Sequence, residues 1–440
     1  MLGRRHAWLG LVSLVALVTF GSHAHAQSWL SDRKRTEGRG VRLGDFELHP
    51  GIGTEVGYYS NPFFSDRPQG SAALRIAPHL LISTLGEERQ ELDPSDRKPG
   101  WLAFSGGVSA TFQHYFEYAV RDAFNLDLRG DATLAPERPI SLRVSEILQR
   151  SAVPFGDTAV SPNATRISQG ANYTNYYENA NVQLMVQSPG GLLRGSVGYR
   201  FGYAWFDSVG FLYNDNMTHT VMLNTSWEFL PKTALFYDAS YAYQSYPHLT
   251  DQTLVEAART QLVNNEQVST RLGINGAITS RIGATVALGY AAGFYARGDD
   301  PSGLIGNLEV RYLPSPIAEV ALTLDRSFLP SYQGNFQERD RIYARTRWLF
   351  GGAVMVIARA GVEYLRFGYD SVQMSGRHDW RYFADLTGEY RFVDWLALTA
   401  QFNVLVDDTD FVYLSVGDVA RADPAKFKAM EVWLGLRAFL

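Results

Sequence analysis

The sequence predicts an all-β protein: a single closed antiparallel transmembrane β-barrel of about 18 strands, of the Gram-negative outer-membrane type. Three observations predict this class. Apolar and small or polar side chains alternate with a period of two, short and long connections alternate between the segments, and the chain opens with a leader typical of exported proteins. Sixteen strands is the alternative count.

The leader occupies residues 1–26. Two arginines precede an apolar run of about 15 residues, and Ala24 and Ala26 form a small-residue cleavage site. A membrane anchor would need about 20 apolar residues, so we expect a cleaved signal peptide. Residues 27–44 are then predicted to be a short periplasmic N-terminal segment, and residues 45–440 the transmembrane β-barrel.

The stretch 281–294, RIGATVALGYAAGF, shows the alternation that predicts strands. Ile282, Val286 and Leu288 share one face, while Thr285 lies on the other face among small residues. A soluble β-sandwich also alternates, but its outer face would be more uniformly charged. Here the second faces mix Gly, Ala, Ser, Thr and Asn with scattered Arg and Glu, which is typical of a crowded, wet barrel lumen.

Segments of this kind follow one another along the chain and number 18. The predicted strands are centred on residues 45–60, 70–84, 101–115, 122–134, 139–151, 171–187, 191–206, 215–229, 232–246, 265–279, 281–296, 303–313, 316–328, 337–350, 353–369, 378–392, 395–407 and 427–440.

The connections between these segments fall into two classes. Those after even-numbered strands are tight, and those after odd-numbered strands tend to be longer, which is the pattern of outer-membrane barrels. The segment 86–100 is an exception, because it is long where a short turn is expected; this exception keeps 16 strands open. We expect residues 86–100, 154–170, 247–262 and 408–426 to be candidate plugs or lids of the lumen.

Composition excludes several other classes of protein. The formal net charge of −5 and the even spread of Lys and Arg argue against a nucleic-acid partner. The chain contains no cysteine, which excludes disulfides, thiolate metal sites and cysteine nucleophiles. Beyond the leader no apolar run reaches the roughly 18 residues of a membrane-spanning helix.

Aromatic residues and the chain terminus fit the same architecture. The last strand alternates up to Leu440 and is predicted to close the barrel, since lipid offers no partner to a free strand edge. Aromatic residues gather at strand ends, where interfacial girdles are expected. They include Tyr58, Tyr59, Phe63, Phe64, Tyr203, Trp205 and Phe206.

The stretch 339–347 places four arginines two or four residues apart. Ile342 and Trp348 occupy the alternate positions and predict the lipid face, so the arginines are predicted to face the lumen. The predicted lumen-lining residues are Arg339, Arg341, Tyr343, Arg345, Arg347, Arg359, Glu363, Arg381, Phe383, Asp385 and Glu389. Two interpretations stay open: a network of ion pairs that braces the wall, and a cationic stripe that guides an anionic or sugar-like solute.

No catalytic, metal or cofactor site is predicted. His219 should project outward, but Ser226 lies on the opposite face of the same strand, so the sequence does not predict an enzyme. The glycines of residues 51–57 are not followed by a helix pattern, which disfavours a nucleotide site. The histidines are scattered, and the acidic stretch 407–410 lacks the spacing of a calcium loop.

A family resemblance lies near the start of the predicted barrel. Its residues are Tyr58, Tyr59, Asn61, Pro62, Phe63 and Phe64, followed by Pro78 and Leu80. This stretch resembles the opening of the β-barrel porins encoded beside exopolysaccharide and capsule gene clusters. The family usually shows Asp-Asn where this chain has Ser60 and Asn61.

The resemblance implies an integral protein of the bacterial outer membrane that secretes a polysaccharide passively. It implies a periplasmic polysaccharide-export protein as partner. Separately, the C-terminal strand resembles the signal read by the barrel assembly machinery, which implies insertion into outer-membrane lipid; that signal usually ends in an aromatic residue, and here Phe439 stands one place before Leu440. The alternative function is a diffusion porin for small anionic or sugar solutes.

Overall fold

The alternating segments form one continuous antiparallel wall in the computed structural model. The structure describes residues 40–62, 64, 66–84, 100–117, 122–136, 138–152, 174–207, 212, 214–250, 262–296, 298, 300–331, 336–368, 376–414 and 422–440. The predicted signal peptide lies outside the described residues.

Every predicted segment contains a strand, and the bounds differ most at β7. The strands are β1 (Val41–Leu43), β2 (Phe46–Tyr59), β3 (Ser71–Thr84), β4 (Leu102–Tyr115), β5 (Ala123–Leu134), β6 (Ile140–Ser151), β7 (Asn175–Gln187), β8 (Leu193–Phe206), β9 (Asn216–Leu230), β10 (Thr233–Ser245), β11 (Asn265–Ala277), β12 (Ile282–Tyr295), β13 (Ser302–Ser315), β14 (Ala318–Pro330), β15 (Phe336–Phe350), β16 (Val354–Phe367), β17 (His378–Val393), β18 (Leu396–Thr409), β19 (Val412–Leu414), β20 (Ala422–Pro424) and β21 (Phe427–Phe439).

The wall closes between its first and last long strands. Nineteen strands join one sheet, and the three-residue β1 pairs with β2 alone, which leaves 18 long strands. Strand β21 pairs with β18 on one side and with β2 on the other, where Gly51 lies opposite Phe439. We call the β2–β21 contact the seam. The barrel therefore has 18 strands, and the alternative count of 16 is wrong.

Strand β1 was not expected, because it lies in the segment predicted to precede the barrel. Val41 pairs with Leu48 and Leu43 with Phe46, so β1 and β2 form a tight hairpin. Gly44 turns the chain with a φ of 61°, a conformation that glycine adopts without steric cost. The start of the first long strand at Phe46 agrees with the prediction.

The two ends of the barrel differ in their connections. The start of β2 and the end of β21 lie at one end, together with the turns at 135–139, 188–192, 231–232, 278–281, 316–317, 351–353 and 394–395. We call this end the short-turn end and the opposite end the long-loop end. The alternation of short and long connections thus follows from the up-and-down order of the strands.

The predicted plugs fall largely outside the described residues. Residues 86–99 and 154–170 are not described. Residues Pro247–Thr250 form a 3₁₀ turn, and β19 pairs with β20 in a two-stranded hairpin beyond β18. Their roles as plugs or lids stay predictions. Among the described residues, no helix is long and apolar enough to cross a membrane.

The outward face of the wall is apolar and exposed. Val56, Leu288 and Leu304 expose 58%, 69% and 71% of their surface, and large apolar side chains like these recur on every part of the circumference. In water such a surface would aggregate, whereas lipid is the solvent that it fits. Closure gives every strand two partners, as hydrocarbon requires. The chain is an integral β-barrel of the outer-membrane type.

The aromatic residues at the strand ends divide between the two faces. Tyr58 is 45% exposed on the outer face, and the rings of Tyr203 and Trp205 stack outward with centroids 5.0 Å apart. The prediction of a girdle position was wrong for three residues. Tyr59 and Phe206 point inward because adjacent residues of a strand point to opposite faces, and Phe64, in the loop after β2, packs on Phe427. Those buried inside the protein are Tyr59, Phe64 and Phe206; Phe63 lies outside the described residues.

Candidate functional site

The inner face of strands β14–β17 carries the densest charge in the lumen. Strand register places the side chains of each odd-numbered residue of β15 and β16 inward, opposite those of neighbouring strands: Arg341 lies across from Asp325 on β14 and from Glu363 on β16. All predicted lumen-lining residues share this inner face: Arg339, Arg341, Tyr343, Arg345, Arg347, Arg359, Glu363, Arg381, Phe383, Asp385 and Glu389.

Near the long-loop end the arginines are held by carboxylates of the two neighbouring strands. Asp325 lies 3.3 Å from Arg339 and 3.8 Å from Arg341. Arg341 also lies 3.7 Å from Glu363. One guanidinium thus bridges carboxylates on two strands, which ties β14, β15 and β16 together.

Further pairs continue across the same wall. Arg359 lies 2.6 Å from Asp385, and Arg381 lies 2.8 Å from Asp407, whose side chain is almost fully buried. Closer to the short-turn end, Arg345 lies 2.9 Å from Glu319. Three of the four arginines of the predicted stripe, Arg339, Arg341 and Arg345, thus form ion pairs with carboxylates of neighbouring strands.

Glu389 lies between two arginines at the short-turn end. Its carboxylate is 3.2 Å from Arg391 on its own strand and 3.8 Å from Arg437 on β21. The Arg391 guanidinium lies 4.6 Å above the ring of Phe439, the last residue of the closing strand. This cluster fixes the C-terminal strand to the inner wall.

Arg347 is different from its neighbours. It lies directly across from Glu319 in the strand register, but the carboxylate of Glu319 pairs with Arg345. The Arg347 side chain is exposed to the lumen, and it has no hydrogen-bond or ion-pair partner within the described ranges. Its positive charge is therefore available to a solute.

Tyr343 and Phe383 form an aromatic pair in the same wall. Their ring centroids are 6.4 Å apart, and Gly361 lies between them on β16. A Cβ atom at Gly361 would come within 2.8 Å of the Phe383 ring, so glycine is needed for the two rings to converge. The guanidinium of Arg341 lies 4.8 Å from the Tyr343 ring centroid.

The opposite side of the lumen carries a second set of charges. Strand β6 lies nine strands from β15, halfway around the ring of long strands. Arg129 contacts Asp127 at 2.6 Å, and Arg143 contacts Asp131 at 2.7 Å. These pairs line a cavity of about 710 Å³ whose other lining residues are mostly small, among them serines and glycines.

Arg200 on β8 is a second inward arginine without a partner. It is exposed on the small and polar face of its strand, and the described part of the chain offers it no carboxylate or hydrogen-bond acceptor. Alternation along β8 puts Arg200 on the polar face, but the set of lumen-lining residues predicted from the sequence does not include it. Alternation in the sequence is enough to predict the direction of this side chain. That no carboxylate lies next to it can be recognised only from the strand register.

The inward carboxylates of the described strands all have partners. Those outside β14–β17 contact arginine, histidine or a hydrogen-bond donor: Glu47 with His49, Glu55 with Arg75, Glu228 with Arg194, Asp238 with Arg271, Glu309 with Arg311, and Glu431 with Asn403. Within the described strands, the unpaired inward charges are thus Arg200 and Arg347, both positive.

The two residues considered for catalysis, His219 and Ser226, lie on opposite faces of β9. His219 points to the lipid face, where its imidazole lies 2.7 Å from the Tyr199 hydroxyl, while Ser226 points into the lumen. A nucleophile and base on opposite faces of one strand cannot touch. In the portion of the chain that is described, no three His, Asp or Glu side chains are grouped so as to hold a metal ion.

Comparison with known proteins gives similarity only at the level of fold. No family model matches the chain, and no curated protein matches it significantly. The solved structure of the outer membrane protein OpdK from Pseudomonas aeruginosa is similar with a TM-score of 0.48 and 11% identity, covering 89% of this chain and 99% of that chain.

Two further solved structures are similar to a comparable degree. The FrpB iron transporter from Neisseria meningitidis has a TM-score of 0.47 and 8% identity, covering 91% of this chain and 82% of that chain. The siderophore receptor PiuA from Acinetobacter baumannii has a TM-score of 0.44 and 10% identity, with the same two coverages of 91% and 82%. The barrel assignment rests on the closed strand register and the apolar outer face of this chain.

Proposed function

We propose that the protein is an outer-membrane channel through which small anionic or sugar-like solutes diffuse. The observation that carries the proposal is the pair of unpartnered inward arginines, Arg200 and Arg347, in a lumen whose described carboxylates all have partners. An 18-stranded ring is wide enough to leave an aqueous path unless loops fill it.

The paired and unpaired arginines have separate roles in this channel. Arg341 and Arg359 hold carboxylates of neighbouring strands, so they keep the wall rigid and add little net potential. Arg347 and Arg200 add positive potential where water reaches them. A guanidinium binds a carboxylate or phosphate through paired hydrogen bonds, and a solvated site is weak enough to release it.

Secretion of a polysaccharide, with a periplasmic export protein as partner, stays a prediction. The residues that carry the family resemblance have a structural role at the long-loop end. Asn61 is 1% exposed and donates a hydrogen bond of 3.0 Å to the carbonyl of Lys428, and Phe64 packs on Phe427 with centroids 4.9 Å apart. They anchor the first long loop to β21, which explains the motif without a polymer.

Planar lipid bilayers test the proposal. The purified barrel alone should open conducting channels, and in a potassium chloride gradient the reversal potential should favour chloride. Replacing Arg200 and Arg347 with Gln should lower this preference. Lys428→Gln is the matched control, since it removes a positive charge from the outer face.

Two results would overturn the small-solute channel. If the purified barrel stays closed and conducts only after a periplasmic partner is added, the export function would be favoured instead. If the double arginine variant keeps the selectivity of the parent protein, the two side chains do not border the permeation path.

A further inference from the structure

Two carboxylates lie on the lipid-facing side of the wall. Glu146 on β6 is directly opposite Gly130 on β5 and Ala180 on β7, and Glu178 is directly opposite Leu148. These residues share the face of Val144, which is 42% exposed on the outside of the barrel. Glu146 and Glu178 are diagonal neighbours, so their like charges repel each other.

Glu146 lies at the middle of its strand. Strand β6 runs from Ile140 to Ser151, which puts Glu146 six residues from one end and five from the other. A charged side chain that faces hydrocarbon at this depth is destabilising, and the penalty is greatest at the bilayer midplane. Lipid headgroups cannot reach that depth, so they cannot neutralise Glu146.

Glu178 lies three residues from the long-loop end of β7, and the other outward-facing charges of the described strands are neutralised or lie near that end as well. Arg326 contacts Glu338 and lies 3.0 Å from Asp340, and Arg366 contacts Glu338 as well. Arg150, one residue from the end of β6, lies 3.3 Å from the hydroxyl of Tyr176. Across the described ranges, Glu146 and Glu178 have no ion-pair or hydrogen-bond partner.

The two positions directly across from Glu146 on the neighbouring strands, Gly130 and Ala180, are small. Gly106 pairs with Gly130 on the outer face, and Ala132 and Ala180 are the neighbouring outward positions. A Cβ atom built on Gly130 would meet no atom within 4 Å. Small side chains let a second backbone approach closely in a membrane, where association depends on packing and on polar contacts.

We propose that the outer face of β5–β7 around Glu146 and Glu178 binds another membrane-embedded protein that presents an arginine or lysine at mid-depth. Charge complementarity identifies this partner: Glu146 is an unpaired carboxylate at mid-depth, and Glu178 adds a second carboxylate diagonal to it. Hydrocarbon disfavours the charged form of Glu146, and a partner's cation would stabilise it; the open space at Gly130 leaves room for that cation. The surface lies outside the lumen and is independent of the proposed channel.

A second copy of this chain fits the surface poorly. A two-fold axis along the membrane normal keeps every residue at its depth, so Glu146 would meet another Glu146. The outward cations of the described strands, Arg150, Arg326, Arg366 and Lys428, all lie within four residues of the long-loop end of their strands.

Photo-crosslinking in native outer membranes tests the proposal. Because the chain has no cysteine, Ala180→Cys can be labelled with benzophenone maleimide at a single site next to Glu146. Irradiation should give a discrete adduct with a different protein. Ala344→Cys, an outward alanine on β15, is the matched control and should give none.

The adduct must depend on the two charges. In the Glu146→Gln/Glu178→Gln variant its yield should fall by about tenfold, as expected when a buried ion pair is lost, and the crosslinked peptide should contain an arginine or lysine. A difference in gel migration between unheated and heated samples shows that each variant is folded. An adduct of two copies of this chain, an adduct indifferent to the charges, or no adduct would overturn the proposal.

Bilayer conductance separates this proposal from the proposed function. The Gln variants lie on the outer face and should conduct like the parent protein, so loss of the adduct with normal conductance is the expected combination. Failure of the channel experiment leaves the crosslinking result unaffected.

Discussion

Arg347 lies directly across from Glu319 in the register of β14 and β15, yet the Glu319 carboxylate pairs with Arg345, 2.9 Å away. We expect the two arginines to compete for this one carboxylate, so that one of them is always free. Whether a cation is free depends on all three residues, because the loss of either arginine would let the other one pair with Glu319.

This competition predicts an unusual pattern of selectivity. Arg345→Ala and Arg347→Ala should lower the preference for chloride by similar amounts, because each leaves one arginine paired with Glu319. Glu319→Gln should raise the preference, since both arginines are then free. Reversal potentials in a potassium chloride gradient measure all three variants. A strong effect of Arg347→Ala combined with none for Arg345→Ala would contradict the competition.

The buried pair of Asp407 and Arg381 predicts a large effect on stability. Arg381→Ala leaves the carboxylate of Asp407, which is 2% exposed, without its cation. The free energy of unfolding should fall by about 3–5 kcal/mol. Urea unfolding of the barrel in detergent micelles measures the loss. The Arg381→Ala/Asp407→Asn double variant should recover part of it, and equal losses in single and double variants would argue against a charge effect.

At the seam, we predict that the carboxylate of Glu55 contributes more to the stability of the closed barrel than an inward carboxylate elsewhere in the wall. Glu55 accepts a hydrogen bond of 2.5 Å from Arg75 and one of 3.1 Å from Thr399, so it connects β2 with β3 and β18. Glu55→Ala should destabilise the barrel by about 1–3 kcal/mol, since Arg75 loses its carboxylate partner and Thr399 loses one of its two acceptors.

Glu309→Ala serves as the control for the seam variant. Glu309 pairs with Arg311, but its strand lies away from the seam. Heat-modified migration on gels compares the two variants, and Glu55→Ala should unfold at the lower temperature. If both variants unfold at the same temperature, a carboxylate at the seam contributes no more to stability than one elsewhere in the wall.

The two faces of β12 predict opposite outcomes for the same substitution. Leu288→Arg puts a charge at a lipid-facing position that is 69% exposed and should cost about 2–4 kcal/mol. Thr285→Arg puts it in the lumen, opposite Glu309, and should be tolerated. Unfolding midpoints in urea compare the pair, and similar losses at both positions would contradict the assignment of the faces.

The sequence predicted the strands well because alternation and turn residues are local properties. The run from Arg281 to Phe294 shows its two faces without any neighbour, and β12 forms there. The same locality explains the errors. Tyr59 follows Tyr58 at a strand end, and composition alone put both in the girdle, whereas parity sends Tyr59 inward. Strand β1 is too short to show a period.

For the candidate site, the sequence predicts which way the side chains point but not which arginine pairs with which carboxylate. Alternation gives the inward direction of the arginines, and the register then decides which carboxylate each one meets. Even the register would assign Glu319 to Arg347, and only the side-chain conformations show that Arg345 takes it. Glu146 breaks the alternation of its strand, and local patterns give no reason for that.

The seam also means that strand order and chain order are separate properties of this protein. Gly51 and Phe439 are partners in the wall, and the amide of Leu440 donates a hydrogen bond of 2.9 Å to the carbonyl of Pro50. A closed ring has no first member. Joining Leu440 to Phe46 through a linker that spans the roughly 13 Å from Pro50 to Phe46, and opening the chain between β12 and β13, would give a circular permutant with the same wall, the same lumen and a different beginning.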